Sequence, residues 1–529
     1  MSYVPVDIHW EKSHMSGHRI YRKLWLTVFA SALGFSIAMP GAMAATPKDT
    51  LVIAKSSDPQ TLDPAVTIDN NDWTVTYPSY QHLVKYKKGS TDVEGDLADS
   101  WTASDDNLIW TFKLKPGQKF ADGSDVNADA VKYTFDRLLR IKQGPSEPFP
   151  AMQTSVKDPL TVEFKLETPF APFLYILANN GAGIVNPVVE KAEGGADKFL
   201  AGNTAGSGPY QMTKWDKGQS IQLERNPHYG GEKPVLDKVL LKIIPDASAQ
   251  RLQLQNGDLD IVAKLPVDQI ESLKSKPGVH FEQVPSLLVT YLYLNNKTGP
   301  LANLDARKGV SAAIDYQGIV EGVLSNQGKQ LKGPIPDGMW AYDDSNPDFK
   351  QDLEAAKASF AKANLGKQNL TLLYSNRDAN WEPIALTVQA NLAALGVNVK
   401  LEKLANATMR DRLGKGEFDI AIGNWSPDFA DPYMFMNYWF DSEKGGLPGN
   451  RSFYSNPEVD KLVRKAAEIS DQAERTKLYQ QAQKLVLDDF AYAYLFQKSE
   501  EIGLRDNVKG FSYNPMLDDV YNVRDISKE

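Results

Sequence analysis

The sequence predicts an α/β fold, and three stretches carry that expectation. Residues 382–395 place Ile384, Val388, Leu392 and Leu395 on one stripe of a helix. Gly396 follows where a helix C-cap belongs, and residues 397–401 then alternate as a strand does. Residues 418–422 form a short apolar run that reads as a buried strand. Ser455-Asn456-Pro457 opens a helix with proline in its first turn and an apolar stripe of Val459, Leu462, Val463 and Ala466. The next helix, 472–487, enters through Asp471 with Glu474 three residues later, a capping-box pattern, and 492–496 is an apolar strand.

The run 418–422 leads into Gly423-Asn424-Trp425-Ser426-Pro427-Asp428-Phe429-Ala430-Asp431-Pro432. Two prolines and two carboxylates stop the strand and turn the chain. Ligands of α/β sheets settle at the carboxyl ends of strands. An aromatic ring beside a carboxylate at such a place can cover an apolar ligand body and pair with a ligand cation. A loop whose Asp residues merely cap a turn fits the same pattern.

The chain has 529 residues, room for two to four domains, and its 42% hydrophobic and 24% charged residues are an ordinary globular balance. A net charge of −9 argues against a nucleic-acid partner. Residues 1–44 read as a removed signal peptide. Arg19, Arg22 and Lys23 form its positive region, 24–39 its apolar core, and Ala42-Met43-Ala44 its cleavage site. The residues ahead of it suggest translation from Met15. The leader holds four basic and two acidic residues, so the chain from Ala45 onward carries −11. The sequence contains no Cys, hence no disulfide and no thiol for a lipid anchor after the cleavage site. The expectation is a freely diffusing periplasmic protein, not membrane-anchored.

From its start the exported chain reads as a strand at 51–54, then Asp58-Pro59-Gln60-Thr61-Leu62-Asp63-Pro64, then 73–83 with Tyr77, Tyr80 and Leu83 at helical spacing. Trp110, Phe112 and Leu114 alternate with Thr111 and Lys113 as in a half-buried strand, which Pro116-Gly117 ends. A helix starting at Asn127 or Ala128 carries Val131, Phe135, Leu138 and Leu139. A second alternating strand runs through Val162, Phe164 and Leu166.

Leu97-Ala98-Asp99-Ser100-Trp101, Trp110 to Leu114, Pro116-Gly117, Phe120-Ala121-Asp122-Gly123 and Ala128-Asp129-Ala130-Val131 together resemble the signature of the family 5 solute-binding proteins. These are the oligopeptide- and dipeptide-binding components of ABC importers. Gly206-Ser207-Gly208-Pro209-Tyr210, Arg225-Asn226-Pro227-His228-Tyr229 and the step from Leu254 through Gly257 to Ile261 are similar to further family segments. So are 292–295 with 307–315, although Lys308-Gly309 stands where the family prefers Arg-Gln. Gly396 to Val399 and Gly416 to Ile420 complete the likeness, which spans 51–514.

The resemblance implies a type II periplasmic-binding-protein fold: two lobes with a hinge, plus the extra domain of the peptide-binding group. It places lobe I at 45–85, 205–305 and 500–529, the extra domain at 86–204, and lobe II at 306–499. It implies a monomer that closes on a peptide or other small solute and delivers it to a membrane permease powered by an ATPase. In these proteins the carboxylate after Trp-x-x pairs with the ligand α-ammonium, and Trp425-Ser426-Pro427-Asp428 matches that motif. Trp425 could wall the pocket or belong to the core. Tyr433 and Trp439 are further candidates, with Tyr77 and Tyr80 on the facing lobe. Dipeptide binders carry an Arg for the ligand carboxylate near the position of Arg377, which lies about two residues out of register. An ordinary surface arginine is the commoner explanation for it.

Catalytic and metal motifs are mostly absent. His9, His14 and His18 lie in the leader, and His82, His228 and His280 are isolated in sequence, so no metal or other cofactor is expected. There is no G-x-x-x-x-G-K-[ST] and no G-x-S-x-G. Asp105-Asp106 and Asp343-Asp344 read as solvated loop charge. The expectation is a binding protein, not an enzyme. The rivals are the same role for a non-peptide solute (an opine, oligosaccharide or glutathione-like molecule) and an exported peptide hydrolase.

Overall fold

A computed structural model describes residues 46–365, 369–447, 449–518 and 520–529; the expected signal peptide lies outside them. Among the described residues eleven strands form one sheet. At one side Thr50–Lys55 runs parallel to Lys238–Ile243 and Ile261–Ala263, and Ser220–Arg225 and Tyr210–Asp216 continue it antiparallel. At the other side Asn369–Ser375 runs parallel to Asn398–Leu404 and Ile420–Trp425. Parallel strands are covered on both faces, which is why Leu51-Val52-Ile53 and Ile420-Ala421-Ile422 are unbroken apolar runs, all buried.

Two long antiparallel strands, Val279–Leu294 and Tyr492–Arg505, connect the two sides. Residues 279–285 pair with 499–505, beside Ile261–Ala263. Residues 289–293 pair with 492–497, and their other edge pairs with Ile420–Trp425. The register shifts between Pro285 and Val289, where proline has no N–H for the ladder. Residues 289–294, expected on the lobe I side of a boundary after 305, are thus hydrogen-bonded to a strand of the other side.

A separate four-stranded antiparallel sheet lies within 86–204, in the order Ala98–Ala103, Ile109–Leu114, Thr161–Leu166, Met152–Asp158. Trp110, Phe112 and Leu114 point inward, as their alternation predicts, against Phe135 of the helix Ala128–Ile141. Asn127 caps that helix by accepting from the Ala130 N–H. Buried Arg137 on the same helix donates to both carboxylate oxygens of buried Asp63, at 2.8 and 2.5 Å, and so fastens the loop 58–64 to this sheet. The same region also touches the far side of the molecule: Tyr175 stacks on Trp340 with centroids 5.9 Å apart, and the Ala171 N–H donates to the Ala467 carbonyl at 2.8 Å.

The turn Gly206-Ser207-Gly208 packs on the end of the helix Asn70–Ser79. A Cβ on Gly206 would sit 2.1 Å from the Ser79 carbonyl oxygen, and one on Gly208 2.4 Å from that of Pro78. Close backbone approach therefore explains both glycines. No helix among the described residues is long and apolar enough to cross a membrane.

Candidate ligand-binding cleft

Parallel strands leave their carboxyl ends on one edge of a sheet, and both parallel sets here end on the same space. It is a cleft of about 1390 Å³. From one side, Lys55 ends Thr50–Lys55 and Ser56 and Ser57 follow it, Pro245 follows Lys238–Ile243, and Lys264 follows Ile261–Ala263. From the other, Arg377 comes two residues after Asn369–Ser375. Arg410 lies on the helix that follows Asn398–Leu404, and Asn424 to Asp428 end Ile420–Trp425. The geometry is the general one for ligand sites in α/β sheets.

Asp428 lines this cleft with its side chain open to solvent. Its carboxylate has no hydrogen-bond or ion-pair partner among the described residues; only its backbone carbonyl is engaged, by Asn179 Nδ2 at 2.6 Å. The surrounding wall of protein, and secondly the negative charge of Glu147, push its carboxyl up to about 6. The exposure of the Asp428 side chain to solvent moderates the first effect.

The loop that carries Asp428 is locked three residues further on. Asp431 is fully buried and caps the turn Pro432–Met434 by accepting from the Tyr433 N–H at 2.9 Å. Both its oxygens meet buried Arg475 Nη2, at 2.9 and 2.8 Å. Arg475 Nε donates to the Ala466 carbonyl at 2.7 Å, and the guanidinium lies 4.8 Å from the Trp340 ring centroid. Asp431 is thus the turn residue the sequence suggested, with a buried counter-ion the sequence did not reveal.

Trp425 also lines the cleft and is half-buried. Its ring stacks on Tyr438 at 4.9 Å, and the Arg451 guanidinium sits 6.0 Å from its centroid. Arg451 is in turn held by Tyr293 Oη and the Leu447 carbonyl, each at 3.1 Å. Arg377 is exposed as expected, yet it faces the cleft. Neither Arg377 nor Arg410 has an acidic partner among the described residues. Among the described residues, Asp428 thus faces the cleft without an ion-pair partner, and so do Arg377 and Arg410.

Four candidates do not line the cleft. Tyr433 packs between Phe170 and Phe429, centroids 5.2 and 6.2 Å away. Trp439 is core, against Tyr291, Phe435 and Tyr492. Tyr77 and Tyr80 belong to the wrong end of their helix: Asn70, Asn71 and Trp73 at its start face the cleft, and Tyr77 is a full turn beyond them. Tyr77 lies against His82 with ring centroids 5.0 Å apart, and buried Tyr80 accepts from the Ala205 N–H. Spacing showed that these tyrosines share a face, but not which end of the helix meets the ligand. Arg410 was missed although it follows its strand much as Asp428 does. Asn179 and Glu147 lie in segments without any signal.

Removing Arg475 leaves the Asp431 charge buried and unpaired. Arg475→Met should therefore destabilise the protein by ~3–5 kcal/mol, read from the shift in urea unfolding against the parent. A loss below about 1 kcal/mol, the range of a surface pair, would show that this pair does not hold the loop.

The comparisons with known proteins agree with this architecture. The family described as bacterial extracellular solute-binding proteins, family 5 Middle, matches residues 92–446. The chain is 59% identical over 504 residues to the probable D,D-dipeptide-binding periplasmic protein DdpA of Escherichia coli K12, covering 94% of this chain and 98% of that one. The unliganded open form of MppA, a periplasmic murein tripeptide binding protein, superposes with a TM-score of 0.81 at 26% identity, covering 92% and 98% of the two chains. The periplasmic binding protein DppA of Helicobacter pylori, in complex with the peptide STSA, gives 0.70 at 26% identity, covering 91% and 98%. The fold is that of the type II periplasmic binding proteins, two lobes joined by strands with an extra domain. The chain belongs to the family 5 extracellular solute-binding proteins of bacteria.

Proposed function

We propose that this protein is the periplasmic solute-binding component of an ABC importer and that its cargo is a dipeptide of D,D configuration. The observation that carries the reading is Asp428, an unpaired carboxylate at the carboxyl end of a parallel strand, in a cleft that also holds unpaired guanidinium groups. A dipeptide zwitterion is complementary to that set. Asp428 takes its α-ammonium in a charge-assisted hydrogen bond. Arg377 or Arg410 takes its carboxylate, where a guanidinium can bind in bidentate fashion. Trp425 supplies an apolar wall. The choice of a D,D-dipeptide rests on 59% identity to a probable D,D-dipeptide binder.

The cleft of about 1390 Å³ exceeds the ~300–1,000 Å³ usual for a small-molecule pocket, so capture requires closure. The lobes are the two sides of the sheet. The hinge is the register shift between Pro285 and Val289, where the crossing strands exchange neighbours. The leader 1–44 directs export and is removed, the mature chain is a monomer, and the closed form docks on a permease served by an ATPase. No step of this role needs bond chemistry in the protein, so it is a binder and not an enzyme.

Titration calorimetry with D-Ala-D-Ala, L-Ala-L-Ala and N-acetyl-D-Ala-D-Ala tests the reading. The D,D-dipeptide should bind most tightly. N-acetylation, or Asp428→Asn in the protein, should each cost ~2–5 kcal/mol, about thirtyfold or more in Kd. Equal affinity for the acetylated ligand rules out the amine-pairing role. Equal affinity for both enantiomers rules out the D,D assignment.

Protons compete with the ligand's ammonium for the Asp428 carboxylate, whose free-state pKa stands at about 6. Ammonium binding favours the ionised form and lowers that value in the complex. Affinity should therefore be flat above about pH 7 and fall as the pH drops through 6, approaching tenfold per unit. The Kd of Asp428→Asn should lack this dependence. A wild-type Kd that does not change between pH 7 and 5 contradicts the assignment.

A further inference from the structure

A third guanidinium lines the cleft beside those of Arg377 and Arg410, that of Arg451. It differs from them in burial. Arg451 is 9% exposed, whereas the other two side chains lie open to solvent. The turn that delivers it is fixed by buried Asn450. Asn450 Nδ2 donates to the Tyr454 carbonyl at 2.8 Å, and its Oδ1 accepts from the Tyr454 N–H at 3.1 Å and from Ser452 Oγ at 3.2 Å. Asn450 and Ser452 are both fully buried, so Arg451 leaves a tightly bonded turn.

Arg451 Nε donates to the Leu447 carbonyl and Nη1 to the Tyr293 hydroxyl, and neither acceptor carries a charge. Nη2 has no partner among the described residues, and unlike Trp425 Nε1 it is not sealed from solvent. The other carboxylates at the cleft do not serve Arg451. Asp72 accepts from Thr67 Oγ1 and the Gln60 N–H, Asp69 caps the helix Asn70–Ser79, and Asp518 pairs with Lys264. Arg451 is thus a buried cation without an acidic partner among the described residues, with one arm turned to the ligand space.

Removing a charge from water is costly unless a counter-ion replaces the solvent, and closure of the cleft takes further water from this one. The Trp425 face, its centroid 6.0 Å away, compensates in part. A guanidinium presents its N–H groups as a planar fork that matches a carboxylate, and here the Nη2 arm is unused. The neighbouring charges favour the same complement. Burial raises the Tyr438 hydroxyl, Arg451 and Arg410 draw it down, and Asp428 adds to the rise. The three charges therefore act on one ring, which stacks on Trp425 at 4.9 Å. A cation bound at Asp428 and an anion bound at Arg451 would flank the same aromatic pair.

We propose that Arg451 is a further ligand contact, an anion subsite whose Nη2 donates to a carboxylate of the cargo. The inference rests on the peptide reading above. A peptide carries such a group at its C-terminus or on an acidic side chain, and the chemistry at Arg451 is the same for both. A cargo with a neutral group at this place leaves the buried charge uncompensated when the lobes close, so Arg451 selects against it.

Two pairs of ligands that keep their shape and lose one charge form the test: D-Ala-D-Ala with its C-terminal amide, and D-Ala-D-Glu with D-Ala-D-Gln. Each is titrated by calorimetry into the unaltered protein and into Arg451→Met. The unaltered protein should prefer the carboxylate about thirtyfold in at least one pair. Arg451→Met should shrink that preference about tenfold or more. Shrinkage in the first pair puts the terminal carboxylate on Arg451, and shrinkage in the second puts an acidic side chain there. A merely structural arginine would weaken acid and amide alike and leave both ratios unchanged. Unchanged ratios with D-Ala-D-Ala still bound overturn this proposal and leave the peptide reading standing; no binding of any of the four to the unaltered protein overturns both. Should Arg451→Met not fold, an experimental structure of the unaltered protein with D-Ala-D-Glu decides. A ligand carboxylate oxygen should lie ~2.7–3.2 Å from Arg451 Nη2, and none within ~4 Å contradicts the proposal.

Discussion

Two carboxylates three residues apart meet opposite fates in the loop 425–435. Asp431 is buried and neutralised by Arg475 from a distant helix. Asp428 is left to the cleft with no partner among the described residues. The second condition depends on the first. Removing a charge from water costs several kcal/mol unless a counter-ion and hydrogen bonds replace the solvent, and Asp431 has both. With that end of the loop fixed, and with Asn179 holding its backbone carbonyl, Asp428 can face the cleft without collapsing onto an arginine. Arg451 is occupied by Tyr293 and stands over Trp425.

The sheet explains why these groups meet. Parallel strands in both halves end on one line, and the residues just after them become cleft residues whatever their identity. Lys55 and Lys264 reach the space this way from one lobe, and Arg377 and Asp428 from the other. The crossing strands Val279–Leu294 and Tyr492–Arg505 bring the two sets of ends face to face. A shift in their pairing falls between Pro285 and Val289, where the hinge is proposed.

Much of this fold was legible in the sequence because its elements are locally consistent. Gly396 adopts φ 78 just past the helix Trp381–Ala393, as its place in the pattern predicted. Asn456 and Asp471 cap the helices they precede. Trp110, Phe112 and Leu114 all turn inward. Part of the candidate site was legible for the same reason. A strand-terminating run with an aromatic residue and a carboxylate has few uses, and Asp428 and Trp425 both line the cleft.

What stayed hidden depends on distance along the chain. Arg475 lies 44 residues from Asp431, and nothing local marks them as partners. Asn179 lies 249 residues from the residue it holds. Tyr77 and Tyr80 do not line the cleft, because periodicity reports a shared face and not which end of the helix meets that space. That Arg377 faces the cleft could not be read locally, because a single exposed arginine looks alike on any loop; its place after a parallel strand puts it there. The central claim, that Asp428 receives a ligand's positive end, is met most directly by an experimental structure of the protein soaked with D-Ala-D-Ala. The ligand's amino nitrogen should lie ~2.7–3.2 Å from an Asp428 carboxylate oxygen with the lobes drawn together. An amino nitrogen held elsewhere, with Asp428 still facing only solvent, would contradict the account.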